Sequence, residues 1–378
     1  MMRIISACAI AILCMSPRVN AAEPAADRVK VAFIAGYTGS DPNTAKELDR
    51  GMQAFLTAVP EARKHLEIET FDNKGSVIDT LRIMAEIQKK KIAFIIGIAR
   101  SDEALAAAKA AGVSKMLFIT PFATNSKITQ QGNDIFQMCF TDAFQGEVLA
   151  RLITEDLKPK KILLLVNSES VYSTGLAESF TSALGKTKKS AEISRIEYTE
   201  KEMGVDKILE AAKKLKPDVV VIPDHITRAA LLAKALRKQN AEIKFLGGDG
   251  FGGQKILTGI YGDTPDIELW YTTHWHPGVE NKTNHWFIDN YAKIASGSEP
   301  TSGAALTFDA FNILWETLKR SNFKGTPDQV ATAMRKEKFQ VTTGTLEMPK
   351  KKDEGTKKAA VVMHLKNGKY HVFKTVYP

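Results

Sequence analysis

The feature that most restricts this chain is a repeated alternation of short, nearly unbroken apolar runs with stretches of helical spacing. Residues 29–36 are β-rich and apolar, and residues 43–59 carry Leu48, Met52, Phe55, Leu56 and Val59 on one helical stripe. Residues 66–71 read as a strand, Asp72-Asn73-Lys74-Gly75 as a turn, 77–90 as a helix and 92–96 as a strand. Residues 102–111 are Ala-rich and helical, with Gly112 as the expected stop, and 116–120 form a strand closed by Pro121. Strands apolar on both faces, separated by helices, predict a parallel sheet covered on both sides.

The pattern then restarts. Helical stretches at 146–156, 175–184, 205–215 and 227–239 alternate with strands at 161–166, 193–198, 218–222 and 243–246. A second sheet of the same α/β class follows. The tail differs: 285–294 and 308–319 are helical, and Asn367-Gly368 between the β-rich runs 359–365 and 370–376 signals a hairpin. A chain of 378 residues accommodates two such domains, each with its own core.

Residues 1–21 read as a cleavable secretory signal. Arg3 gives the positive start, residues 4–15 the apolar stretch, and Val19-Asn20-Ala21 the small-residue cleavage pattern, so the mature chain begins at Ala22. Lipid anchoring at Cys14 ranks second, because bulky Leu13 precedes it. No later run is long and apolar enough to span a bilayer. The expected location is the periplasm. Cys8 and Cys14 leave with the signal, and Cys139 alone forms no internal bridge.

The formal charge of +9 falls to +7 once Arg3 and Arg18 are removed. The lysine runs at 89–91 and 350–352 are too short for a binding tail, so they read as solvated surface rather than a nucleic-acid site.

Ligands of open parallel sheets sit beyond the carboxyl ends of the strands. Three such ends stand out. Ser101 follows the third strand and opens a helix, where a hydroxyl and free amides suit a carboxylate; the alternative is a plain cap. Thr124 follows the fourth strand, as a second hydroxyl or a turn residue. Asp249 lies in a loop with Gly247, Gly248, Gly250, Gly252 and Gly253, where glycines let backbone approach a ligand and the acid receives an ammonium group; the alternatives are a bare turn or a phosphate loop. Neither the Walker pattern nor the dinucleotide fingerprint is met there. His274 and His276 fall on one face if 271–276 is a strand, and with His285 they offer a zinc alternative; a packed patch of Trp270, Tyr271, Trp275 and Trp286 is the preferred reading. No metal, cofactor or catalytic nucleophile is expected, so the chain reads as a binder rather than an enzyme.

Several segments together resemble the type I periplasmic substrate-binding proteins of ABC transporters, in the leucine/isoleucine/valine-binding branch. They are Ile119-Thr120-Pro121-Phe122-Ala123-Thr124-Asn125-Ser126, Asp142-Ala143-Phe144-Gln145-Gly146, Tyr172-Ser173-Thr174-Gly175, the loop from Gly247, and Phe339-Gln340-Val341-Thr342-Thr343-Gly344. The resemblance implies two doubly wound, Rossmann-like lobes joined by three crossovers, with residues 22–141 plus 273–341 in one and 142–272 plus 342–378 in the other. It implies a monomer that captures an amino acid between the lobes and presents it to a membrane permease. A sensory subunit of the same fold, or a binder of an amide, urea or aromatic acid, are its alternatives.

By the same resemblance, Ser101 and Thr124 hold the ligand carboxylate, and Asp249 with the Phe122 carbonyl holds the ammonium. Asp142 sits at the hinge, and Tyr172 and His225 line the second lobe. Asp249 replaces the branch's usual Glu, and His225 and Thr44 replace bulkier neighbours. Arg100 sets a cation beside Ser101, either toward an acidic ligand side chain or toward solvent.

Overall fold

A computed structural model describes residues 28–39, 41–187, 191–252, 267–351 and 354–378. The proposed signal segment with Cys8 and Cys14, together with Gly253 and Lys352, lies outside the described residues. The first sheet is built from β1 (Val29–Ala35), β2 (Leu66–Asp72), β3 (Phe94–Gly97), β4 (Leu117–Thr120) and β5 (Ile135–Gln137). Between them run α1 (Pro42–Ala58), a short α2 (Ala62–His65), α3 (Val77–Lys89) and α4 (Ser101–Ser114). All neighbours are parallel, in the order β2-β1-β3-β4-β5. The order reverses at β1, so the loops leaving β1 and β3 splay apart at a topological switch point.

The second sheet begins after α5 (Asp142–Arg151), which runs on as a π-helical turn, Leu152–Leu157. It holds β6 (Lys161–Asn167), β7 (Glu192–Tyr198), β8 (Val219–Ile222), β9 (Lys244–Gly247) and β10 (Glu268–Thr273), connected in turn by α6 (Val171–Gly185), α7 (Val205–Leu215) and α8 (Ile226–Gln239). The chain returns to the first unit through α9 (Lys282–Ile294), α10 (Ser302–Arg320) and α11 (Pro327–Arg335). It then forms β11 (Lys338–Val341), β12 (Gly344–Glu347) and β13 (Lys357–Lys358), a three-stranded sheet. Finally β14 (Ala360–Lys366) and β15 (Lys369–Val376) join the second sheet antiparallel, in the order β15-β14-β10-β9-β8-β6-β7.

Local chemistry explains the element ends. Asp41 caps α1 by accepting from Thr44 N, and Pro42 fits the first helical turn, where its missing N–H costs nothing. Ser170 caps α6 in the same way through Ser173 N. Asn367 and Gly368 both take positive φ, as a two-residue hairpin turn requires. The first core gathers α1, α9 and α10 on the first sheet, with Phe55 stacked on Phe311 at 5.6 Å. Two further apolar clusters cover the two faces of the second sheet.

Four expectations differ from what is found. Gly112 does not stop α4, which runs to Ser114 and closes on Lys115 at positive φ. Gly112 is needed instead for close packing, since a Cβ there would lie 2.3 Å from the Gln131 carbonyl oxygen. Residues 271–276 are not one strand: β10 ends at Thr273, so His274 and His276 sit in the crossover. The four aromatics do not form one patch. Trp275 and Trp286 join the first core, Tyr271 and Trp270 opposite faces of the second sheet. The third crossing was expected at Val341, yet Leu346 and Met348 still pack in the first core and the chain enters the second sheet only at Ala360.

Candidate functional site

Six of the eight site residues line one small cavity between the two sheets. Ser101, Phe122 and Thr124 come from the loops after β3 and β4, and Tyr172, His225 and Asp249 from the second unit. The cavity measures about 10 Å³, room for roughly one water molecule. The two remaining residues stand apart. Arg100 lines an adjoining cavity of about 30 Å³ that shares Ala99 with the first. Asp142 lines neither; it begins α5, 1% exposed, where the chain crosses between units.

Ser101 is the first residue of α4, and the cap position belongs to Arg100, whose side chain makes no capping bond. The plain-cap reading of Ser101 therefore fails. Its buried Oγ accepts from Asn125 N at 3.3 Å, which leaves the hydroxyl proton free to donate. The unpaired first-turn amides of α4 start beside it. Thr124 is 1% exposed, and its carbonyl accepts from Asp142 N at 2.8 Å, tying the β4 loop to the start of α5.

Asp249 is the most organised group in the cavity. Its Oδ1 accepts from Gln145 Nε2 at 2.7 Å and Tyr172 Oη at 3.0 Å, and its Oδ2 meets His274 Nε2 at 3.1 Å. Burial alone would raise its pKa, but the His274, Gln145 and Tyr172 contacts outweigh burial and hold it below the ordinary carboxylate value. Burial keeps the His274 pKa down, so at neutral pH this ring is an uncharged donor and the site retains its negative charge. Three of the roughly four acceptor positions of the carboxylate are used, leaving one on Oδ2 for an incoming donor.

Gly247 and Gly248 do not open the backbone to a ligand as the sequence suggested. A Cβ on Gly247 would fall 1.0 Å from the Phe251 ring, and one on Gly248 would fall 2.4 Å from Tyr172 Oη. They admit the protein's own side chains, and Tyr172 Oη in turn accepts from Gly250 N at 3.0 Å. A bare turn does not describe the loop either, since Asp249 is 5% exposed and takes three side-chain donors.

His225 opens α8, and its ring faces Tyr172 with centroids 5.2 Å apart. Its Nε2 is buried without a hydrogen-bond partner among the described residues. Burial and the Arg100 charge lower its pKa to about 4. The residue before it is fixed: Asp224, fully buried, accepts from Tyr198 Oη at 2.6 Å, His225 N at 2.7 Å, and Arg228 Nε and Nη2 at 2.8 and 2.9 Å. Asp142 is buried beside the Thr124 and Asn125 side chains, which hydrogen-bond its carboxylate, yet burial outweighs them and raises its pKa well above the usual value.

Sequence reasoning missed His274, Gln145 and Asp102. Gln145 stood in a quoted motif without a role, and His274 was weighed only as a metal ligand. In the structure His274 points at Asp249, Nδ1 of His276 accepts from Gly278 N, and His285 lies 3.5 Å from Glu280. The three histidines do not converge, and no group of three metal-ligating side chains occurs among the described residues. Asp102 Oδ1 accepts from Val171 N at 3.0 Å, and Asn125 Nδ2 donates to Val171 O at 3.0 Å. These two bonds clasp the start of α4 and the loop after β4 to the start of α6 across the cleft.

A family model described as periplasmic binding protein matches residues 28–369. A Leu/Ile/Val-binding protein homologue of Brucella melitensis is 23% identical over 59% of this chain, which thus spans about three-fifths, 61%, of that relative's length. A leucine-, isoleucine-, valine-, threonine- and alanine-binding protein of Pseudomonas aeruginosa is 24% identical over 87% of this chain and 88% of its own. Among solved structures, a leucine-binding protein, LivK, of Thermotoga maritima has 25% identity and a TM-score of 0.84 over 93% of this chain and 99% of its own. An ABC-transporter solute-binding protein of Rhodopseudomonas palustris in complex with benzoate shares the fold at 18% identity, with a TM-score of 0.81 over 93% and 97%.

Proposed function

We propose, from the premise that this chain belongs to the periplasmic binding protein family, that it is an extracytoplasmic receptor for an α-amino acid and hands that ligand to the permease of an ABC transporter. The observation that carries this reading is the meeting of unlike grips around one cavity. Ser101, Thr124 and the α4 amides face Asp249, Tyr172 and His225 from the other sheet. Hydroxyl and helix-start donors suit the ligand carboxylate. The Asp249 charge, with its remaining acceptor position and the Phe122 carbonyl, suits the ammonium.

The names of relatives support the same class: the Pseudomonas aeruginosa protein is named for leucine, isoleucine, valine, threonine and alanine. The lobe division we propose follows the cores, with 28–141 plus 273–358 in one lobe and 142–272 plus 359–378 in the other. Ligand capture would then shift an open–shut equilibrium, because contacts from both lobes exist together only when the cleft is shut. At about 10 Å³ the cavity is shut well below the roughly 300 Å³ at which small-molecule pockets begin, so admission of a ligand parts the lobes. No helix among the described residues is long and apolar enough to cross a membrane. A cleavable leader at residues 1–21 is the proposed route of export.

A second reading, an aromatic carboxylate, draws on the Phe122, Tyr172 and His225 rings in the cavity wall and on the benzoate-bound neighbour. It leaves the Asp249 charge uncompensated, which is why the amino acid ranks first. A thermal-shift screen of amino acids against benzoate and 4-hydroxybenzoate separates the two, since a ligand that binds the native form raises the melting temperature. A shift with benzoates and none with amino acids overturns the first reading.

A further inference from the structure

The cavity beside the amino-acid grips differs from them in composition. It lies wholly on the first lobe, at the switch point of β1 and β3, and touches the grips through Ala99. Most of its polar wall is already spent. Asp41 Oδ2 accepts from Thr44 Oγ1 at 2.8 Å, Asn73 Nδ2 donates to Thr80 Oγ1 at 3.0 Å, and Asn73 Oδ1 accepts from Gly75 N at 3.3 Å. Two groups are not spent. Glu103 is 4% exposed, and its Oε2 has no hydrogen-bond partner among the described residues. The side chain of Arg100, half-buried, makes no hydrogen bond or ion pair among the described residues, its carbonyl alone accepting from Ala104 N at 3.0 Å.

A buried, unpaired carboxylate oxygen is costly, and a guanidinium offers five donors in a fixed plane. Together they present an acceptor and a donor set on one wall. Resting on the amino-acid reading above, we propose that Arg100 and Glu103 read the tip of the ligand's side chain, and that this tip is a carboxamide or ureido group. Its carbonyl oxygen accepts from Arg100, and its N–H donates to Glu103 Oε2. A branched aliphatic chain would satisfy neither group. A side-chain carboxylate would satisfy Arg100 but meet Glu103 as a like charge. Burial raises the Glu103 pKa although its own backbone amide and the Arg100 charge oppose this, in keeping with an oxygen, Oε2, that lacks a donor until the ligand supplies one.

The test is calorimetric titration of the full mature chain with L-glutamine, L-asparagine, L-citrulline, L-glutamate, L-leucine and L-alanine. An amide or ureido ligand is expected to bind at least roughly 10-fold tighter than leucine, the scale of one hydrogen bond to a charged group. Arg100→Met keeps the stem, removes the donors and is expected to erase that preference, read as the ratio of amide to leucine affinity within the variant. Glu103→Gln preserves shape and is expected to move the glutamate-to-glutamine ratio toward glutamate. Thermal melts of the ligand-free variants show whether each remains folded, and Arg100→Lys repeats the test should Arg100→Met fail to fold. Tighter binding of leucine, or a ratio unchanged in both variants, overturns the side-chain assignment and leaves the amino-acid reading intact. Absence of binding by every amino acid, alanine included, overturns both.

Discussion

The two walls of the cleft are built to different degrees of completion. On the second lobe two buried carboxylates are committed before a ligand arrives, Asp249 to three donors, one of them His274 from the crossover, and Asp224 to four, while His225 Nε2 stays open. On the first lobe Ser101 keeps a free hydroxyl proton, and Arg100 and Glu103 keep open valences. The committed wall has its ordering cost met at folding, so a ligand spends little of its binding energy arranging it. The uncommitted wall pairs with whatever docks, which is where selectivity among ligands arises. Loss of one group should therefore cost most on the committed wall, where a charge stands behind each contact.

The sharpest break of that contrast is Asp249→Asn. The amide keeps acceptor Oδ1 for Gln145 and Tyr172 but removes the charge, and amino-acid binding is expected to weaken by about 2–5 kcal/mol in calorimetry. Asp249→Ala should in addition lower the melting temperature, because three buried donors lose their acceptor. Unchanged affinity in Asp249→Asn would take the charge out of the site.

The next effect is on pH. His225, held near pKa 4 in the shut cleft by burial and Arg100, faces Asp224, Arg228, Asp249 and the Tyr172 ring. Opening exposes the ring and returns it toward about 6.5. A lowered pKa on a base means that the open form binds the extra proton between about pH 6.5 and 4, so closure weakens as pH falls through that window. Affinity is expected to drop by at most about 20-fold between pH 7 and 5. His225→Gln should flatten the profile; a flat profile in the wild-type chain would mean that the ring stays buried when the cleft opens.

The two walls also differ in how far the sequence disclosed them. Ser101 and Thr124 sit at strand ends that apolar runs mark plainly, and 205–215 matches α7 to the residue because its apolar stripe is narrow and regular. Asp249 stood out as an acid among glycines. What those glycines do was hidden, because their neighbours Phe251 and Tyr172 meet them only in three dimensions. His274 was misread for the same reason: its partner is 25 residues away, and a two-residue histidine spacing looks like a metal site until the strand is seen to end at Thr273. Periodicity reports which face is buried and is silent on which polar groups share it. The Lys-rich β13 carried no apolar signal, so the later third crossing was not legible either.

On the uncommitted wall, Ser101→Ala and Thr124→Ala are each expected to cost about 1–2 kcal/mol of affinity, since each removes one donor to a charged group. Equal losses on both walls, Asp249→Asn included, would erase the contrast.

The smallest expected effect concerns the clasp between the walls. Asp102 reaches across the cleft to Val171 N, an amide that the first turn of α6 leaves unpaired, and its negative charge sits at the positive end of that helix. The bond exists only when the lobes are shut, and it touches no cavity residue's side chain. Asp102→Ala should therefore weaken every ligand alike, by roughly 1 kcal/mol, leaving the ratios between ligands unchanged. Small-angle scattering of the ligand-free variant should show a larger radius of gyration than the wild-type chain, and saturating ligand should restore the compact value. A change in ligand ratios instead would place Asp102 in the site and make the first wall more committed than its hydrogen bonds indicate.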